Sequence, residues 1–322
     1  MATSRGPGAI GTKANPGLLP EGIRGHEMEF PGPIGGDAWI RAAREAGYVP
    51  GTPQKAAPSA RERAEEIIRR FAGRMGGGVF RCILRSAVAR GLLERVQVPS
   101  AINQKGSSLC GPASLLYDVA TRGPVAYAEY VIALYETGVG HIRKLEVKPG
   151  TDLKNHDPGA TVEASDWIAL ASLRDSENWF FDYQEASDEF AGITLPHELE
   201  DWFRRTGYTD VVDEARVIVD QEEENIVRAD GYLGRGYRVC LFIHSNMLYK
   251  EKQSNGSATP DHWVVLTSRV RWGSTMIGSE AKRTIAFTIY TWGEGHRAVP
   301  QTGALTVDDF LDNYYGFVAA KY

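Results

Sequence analysis

An α+β fold is predicted by two observations along the 322-residue chain. Apolar residues recur three and four apart between Leu109 and about Gly234, whereas after Gly236 they fall into short runs rich in Val, Ile, Phe and Thr, separated by polar loops. The first pattern is that of helices with one buried stripe, the second that of strands. Helices first and strands second predict a helical half packed on an antiparallel sheet, with the cleft between the halves as the default site.

Residues 1 to about 60 carry Gly or Pro every few positions, from Gly6-Pro7-Gly8 to Pro58, which denies a helix or strand any long run and predicts an extended arm. One short helix is expected within it, near Asp37 to Ala46, with Asp37 as N-cap. Ser59 and Glu62 have capping-box spacing ahead of Ile67, Ile68 and Phe71, which predicts a helix that Gly76-Gly77-Gly78 ends. Phe80, Ile83, Leu84, Val88, Leu92 and Leu93 predict a second, with Cys82 as a packing residue inside it. On this reading residues 1–98 form an arm plus helices, a delivery, regulatory or packing segment, and 99–322 form a separate domain. Further helices are expected around Ala113–Ala120, Tyr127–Tyr135, Trp167–Leu173 and Pro196–Thr206. Strands are expected at Tyr237–His244, Trp263–Ser268, Thr284–Thr291 and Tyr314–Ala320. The segments Glu146–Val162 and Ser268–Arg283 read as loops.

Composition excludes several classes of function. Lys plus Arg number 36 against 41 for Asp plus Glu, a formal charge of −5 that is too mild for a nucleic-acid partner. Three cysteines, Cys82, Cys110 and Cys240, are an odd set without metal-ligand spacing, which argues against a disulfide framework and a zinc cluster. The N-terminus has no apolar h-region and no apolar run approaches the roughly 20 residues of a membrane span, so neither Sec-type export nor a membrane partner is expected, and the chain is cytoplasmic in its producer. No Gly-rich phosphate loop stands between a strand and a helix, and no cofactor or metal is implied.

The chemistry-bearing stretch is Asn103-Gln104-Lys105-Gly106-Ser107-Ser108-Leu109-Cys110-Gly111-Pro112. Cys110 immediately precedes Gly-Pro and an apolar-periodic helix, so its sulfur lies at the positive end of that helix, a place that favours thiolate, the nucleophilic form. Gln104, six positions upstream, is placed to turn its amide toward the oxyanion of an attacked carbonyl. Of seven histidines, His262 opens a hydrophobic strand after a polar loop, so its ring projects at the end of a sheet and suits a general base. His244, at the end of Cys240-Leu241-Phe242-Ile243, is the one rival base. Asp261 reads as a solvated turn residue. The third strand ends in Tyr290-Thr291-Trp292-Gly293, beside His262 if the two strands pair.

This series, Asn-Gln with Cys six residues after the Gln, a His opening a strand 152 residues beyond the Cys, and a strand ending in Trp-Gly, resembles the papain-like cysteine peptidase superfamily over roughly Ala101 to Tyr322. The resemblance implies a papain-like fold with Gln104 in the oxyanion hole, Cys110 as nucleophile, His262 as base and Trp292 shielding it. The Asn that orients the His in the family is replaced by Tyr290, so that role passes to Thr291 first, to Glu294 second, or to nothing in a Cys–His dyad. Gly-Pro-Ala after the Cys is similar to divergent bacterial members, including toxins and effectors delivered by contact-dependent secretion. The implied function is a cysteine protease acting on a protein in a target cell's cytosol, with an immunity or inhibitor protein as a further partner. The alternatives are a Cys–His glutamine deamidase or transglutaminase, a peptidoglycan amidase, and an inactive binding module.

Overall fold

A computed structural model describes residues 57–159, 162–177, 193–217, 222–257 and 259–322. The chain divides into two compact units, Met1–Ala56 and Ala57–Tyr322. The expected arm and the helix near Asp37 belong to the first and lie outside the described residues.

The second unit begins with α1 (Ala60–Ala72), whose capping box forms as the spacing requires: Glu62 N–H donates to Ser59 Oγ (3.2 Å) and Ser59 N–H to Glu62 Oε2 (2.7 Å). It buries Ala64, Ile68 and Phe71. Helix α2 covers Arg85–Gln97, starting later than the sequence pattern suggests. Phe80 and Ile83 are buried from the turns ahead of it, so their apolar spacing reflects burial rather than helix. Cys82 lies in those turns and is exposed, its Sγ reaching the Asn155 carbonyl (3.4 Å), which corrects its reading as a packing residue. Both helices share one apolar core with Leu115, Tyr130 and Leu170. The compact body therefore starts at Ala57, not at residue 99, because the stripe of each of these helices is buried against the rest of the unit.

Helices α3 (Cys110–Arg122) and α4 (Pro124–Thr137) follow, then a small hairpin of β1 (Gly140–Ile142) and β2 (Leu145–Val147), and the short α5 (Thr151–Asn155). Helix α6 runs through Ala164–Asp166, a π-helical Trp167–Ala171 and Ser172–Glu177, and α7 covers Pro196–Arg205. After β3 (Asp210–Asp213) and α8 (Glu223–Gly234) come β4 (Arg238–Ile243), β5 (His262–Leu266), β6 (Arg271–Ile277), β7 (Glu280–Tyr290), β8 (His296–Val299), β9 (Leu305–Thr306), α9 (Val307–Leu311) and β10 (Tyr314–Lys321).

The antiparallel sheet has the order β3-β10-β4-β5-β7-β6, with β8 and β9 on β7. Cys240, Phe242, Trp263 and Val265 pack against the helices, while Val239, Leu241, Ile243, Val264 and Leu266 face a second core with Ile226 of α8 and Phe310 of α9. A sheet covered on both faces explains why β4 and β5 read as continuous apolar runs instead of alternating ones. The β6–β7 hairpin is different. Nearly all of β6 is exposed, including Met276 and Ile277, so this strand lies inside the segment read as a loop and leaves no periodic trace.

Candidate active site

Three element ends converge: the start of α3, the start of β5 and the end of β7. Helix α3 starts at Cys110 and is buried on almost every side through Ala120, packed between α4 and β5. Leu109 offers no side-chain cap and Pro112 brings no N–H, so the first-turn amides without an intrahelical partner are those of Cys110 and Gly111. Gly111 is required here: a Cβ on it would lie 2.4 Å from the Thr194 Cβ. Strand β5 opens at His262, and its antiparallel register with β7 (Val265 opposite Tyr290) sets that opening beside the residues that follow β7. The two strands pair as the sequence argument needed.

The result is a cleft of about 380 Å³ lined by Gln104, Lys105, Cys110, Asp261, His262 and Trp292, with Ser107, Ser108, Ile193 and Ser245 around them. Cys110 is only 2% exposed, yet it lines this cleft, where the nearby amides of Trp263, Gly111 and Cys110 itself favour a charged sulfur. His262 is 4% exposed, and its Nε2 hydrogen-bonds Thr291 Oγ1 at 2.7 Å. The indole of Trp292 stacks on its ring, with centroids 5.0 Å apart at 22°. An Nε2–H donated to the Thr291 oxygen leaves Nδ1 as the basic nitrogen.

Of the residues after β7, Thr291 is the one hydrogen-bonded to the His262 ring. Tyr290 is not: it stacks on Tyr117 and sends its hydroxyl to the Ile102 carbonyl (2.6 Å). Glu294 is exposed and faces Arg297 at 3.7 Å. The rival base His244 is engaged elsewhere, accepting the Asn246 amide on Nδ1 (3.2 Å) and lying 3.5 Å from Asp261 through Nε2. Asp261 is more than a turn residue, since its carboxylate receives both the amide (2.6 Å) and the hydroxyl (2.7 Å) of Ser245 and it lines the cleft. Gln104 is 5% exposed. One N–H of its amide donates to the Ser107 carbonyl (3.1 Å), which leaves the second without an acceptor among the described residues.

The electrostatics reverse one sequence expectation. Burial pushes the Cys110 thiol up to about 11, with the three amides pulling against it and Asp261 adding to it. Burial likewise pushes His262 down to about 4, Asp261 opposing and Arg297 assisting. The helix terminus alone argued for thiolate; desolvation outweighs it, and at neutral pH the pair rests as thiol and imidazole. A neutral imidazole beside a neutral thiol is the resting state from which a general base can take the thiol proton.

The depressed imidazole also sets a stability profile. Above pH ~6.5 the ring is neutral folded and unfolded and contributes nothing; below it only the unfolded chain takes the proton, so stability falls until about pH 4. The loss amounts to about 3 kcal/mol. Urea unfolding between pH 7 and 4 is expected to show this loss in the wild type and to show it shrink in His262→Gln.

Backbone strain concentrates here too. Lys105 (φ 55°) and Trp292 (φ 52°) hold left-handed conformations that favour glycine, and both line the cleft. Gly293 follows with φ 69°, and a Cβ on it would lie 2.4 Å from that of Asn103, which is why a glycine must succeed the Trp. The groups sequence reasoning missed, the Trp263 amide, Asp261, Ser245 and Ile193, reach the cleft by tertiary packing, and no local pattern marks them. Among the described residues no group of three or more His, Cys, Asp or Glu side chains is placed to hold a metal ion, and no helix is long and apolar enough to cross a membrane. No family model matches the chain, and no curated protein matches it.

Proposed function

We propose that the protein is a cysteine-type hydrolase of papain-like architecture that cleaves a peptide bond in a protein target. The observation that carries this reading is that Cys110 and His262 border one cleft, with His262 tied through Nε2 to Thr291 and Gln104 in the same wall. The Cys110 proton passes to His262 Nδ1 as the sulfur forms a bond to the carbonyl carbon and the π pair moves onto oxygen. The oxyanion is received by the free N–H of Gln104 and the Cys110 amide. Collapse expels the amine, which takes the proton from His262, and water attacking through the same base releases the acid from the thioester.

A second reading is favoured by the near-complete burial of the sulfur, which suits a slender Gln side chain entering the cleft end-on. The same residues would then give deamidation or, with an amine in place of water, transamidation. The further proposal of a bacterial toxin or effector working in a target cell's cytosol, held in check by an immunity protein, rests on the resemblance around Cys110-Gly111-Pro112-Ala113 alone.

Wild type expressed beside Cys110→Ala in a bacterial cytosol tests the reading. Proteolysis is expected to give new protein N-termini in the wild type only. Gln side chains converted to acid without chain breaks would replace it by the second reading, and two indistinguishable proteomes would leave a binding module.

A further inference from the structure

We infer that the buried Arg95–Asp166 ion pair and the Tyr290 hydroxyl form a positioning device that holds residues 102–104 so that Gln104 meets the oxyanion. The inference rests on the hydrolase reading above and extends it to α2, a helix that touches no cleft residue by sequence logic.

Asp166 is fully buried and Arg95 is 4% exposed. Their contact is two-pronged, Nε to Oδ1 at 3.1 Å and Nη2 to Oδ2 at 2.7 Å. The same Oδ2 accepts the backbone N–H of Asn103 at 2.9 Å. One residue earlier, the Ile102 carbonyl accepts the Tyr290 hydroxyl at 2.6 Å. One residue later comes Gln104. The single peptide group joining Ile102 to Asn103, next to the oxyanion donor, is thus held at both its carbonyl and its amide by buried side chains from β7 and α6, with Arg95 of α2 behind the carboxylate. Asn103 is fixed again on its own account, its Oδ1 accepting the Lys105 amide (2.6 Å) where the backbone turns left-handed, with Gly293 packed on its Cβ.

A buried ion pair is weak evidence of a stabilising purpose, since apolar residues of similar volume generally serve stability as well. What apolar residues cannot do is accept the Asn103 amide and fix its direction. Arg95 in turn orients the carboxylate by its planar fork. Arg95 and Asp166 are positioning residues that act through Asn103; neither touches the reacting atoms.

The test separates two reactions of the same sulfur. Alkylation by iodoacetamide forms an S–C bond and releases iodide, with no oxyanion. N-acetylglycinal adds across its C=O: the S–C bond forms, the π pair moves to oxygen, and that oxygen, which needs Gln104, takes up the thiol proton by way of His262. The variants are Arg95→Met/Asp166→Leu, which removes both charges together, and Tyr290→Phe, which keeps the ring stacked on Tyr117 and removes only the hydroxyl. Alkylation of Cys110, read by mass spectrometry of its peptide, is expected to stay within about twofold of wild type. Aldehyde affinity is expected to weaken about tenfold or more in the double variant, below the roughly 10²–10³-fold cost of deleting an oxyanion donor outright, and in the same direction in Tyr290→Phe. Unchanged aldehyde affinity in either folded variant, or equal losses in both reactions, overturns the inference. Should the double variant fail to fold, Tyr290→Phe decides alone. If the wild type itself shows no His262-dependent reaction of Cys110 with either probe, the hydrolase reading falls first and takes the inference with it.

Discussion

Cys110→Ala is expected to lower turnover of the target protein by on the order of 10⁵–10⁶, and His262→Ala by the same order. The two losses should not add: with the sulfur gone the base has nothing to deprotonate, and with the base gone a thiol held at about 11 supplies almost no thiolate at pH 7. Cys110→Ala/His262→Ala should therefore match either single variant. Initial rates on the substrate found by comparative proteomics measure this. Melting temperature provides the control, because trading a buried sulfur for a methyl costs only about 1 kcal/mol and leaves the fold intact. A Cys110→Ala protein that keeps turnover within tenfold of wild type would show that another group is the nucleophile.

Thr291→Val is expected to reduce kcat by roughly 10²–10³, with KM little changed. Loss of a charged orienting group in a Ser-His-Asp triad costs ~10⁴, and a neutral hydroxyl lies below that. Thr291 Oγ1 is the hydrogen-bond partner of Nε2 on a ring that is 4% exposed. Val keeps the shape but offers no acceptor, so the proton is no longer held on Nε2 and the tautomer with a basic Nδ1 is no longer selected. Leaving that buried nitrogen unpaired also costs about 1–3 kcal/mol of stability, which a thermal melt reads independently. Thr291→Ser retains the oxygen and should stay within about tenfold of wild type. Glu294→Gln changes an exposed side chain facing Arg297 and should leave the rate unaltered. The reverse ranking would move the orienting role to Glu294, and three unimpaired variants would leave a Cys–His dyad.

Local chemistry was legible wherever cause and effect sit within a few residues of each other. The Ser59–Glu62 box starts α1, Gly-Pro after Cys110 opens α3, and the valine-rich runs become β4 and β5, because caps, fixed φ values and β-branched packing act over one or two turns. The candidate site was legible as a list of residue types in order: Gln104, Cys110, His262, Thr291 and Trp292 all line the cleft or contact a residue that does. Other features escaped for equally physical reasons. The exposed β6 has no buried face to print a period, and Cys82 sits among apolar letters that belong to turns. Whether Cys110 rests ionised depends on how many atoms exclude water from it, a property of the assembled core rather than of the helix end. Chain order likewise determined that a thiol would meet a helix dipole and an imidazole would open a strand. Only the folding of β5 against β7, and of α2 against α6, decided that Thr291 hydrogen-bonds the ring and that Arg95, on a helix read as part of a separate segment, grips the carboxylate that accepts the Asn103 amide beside Gln104. Propensity is written in neighbours; burial and pairing are written in distances that span the chain.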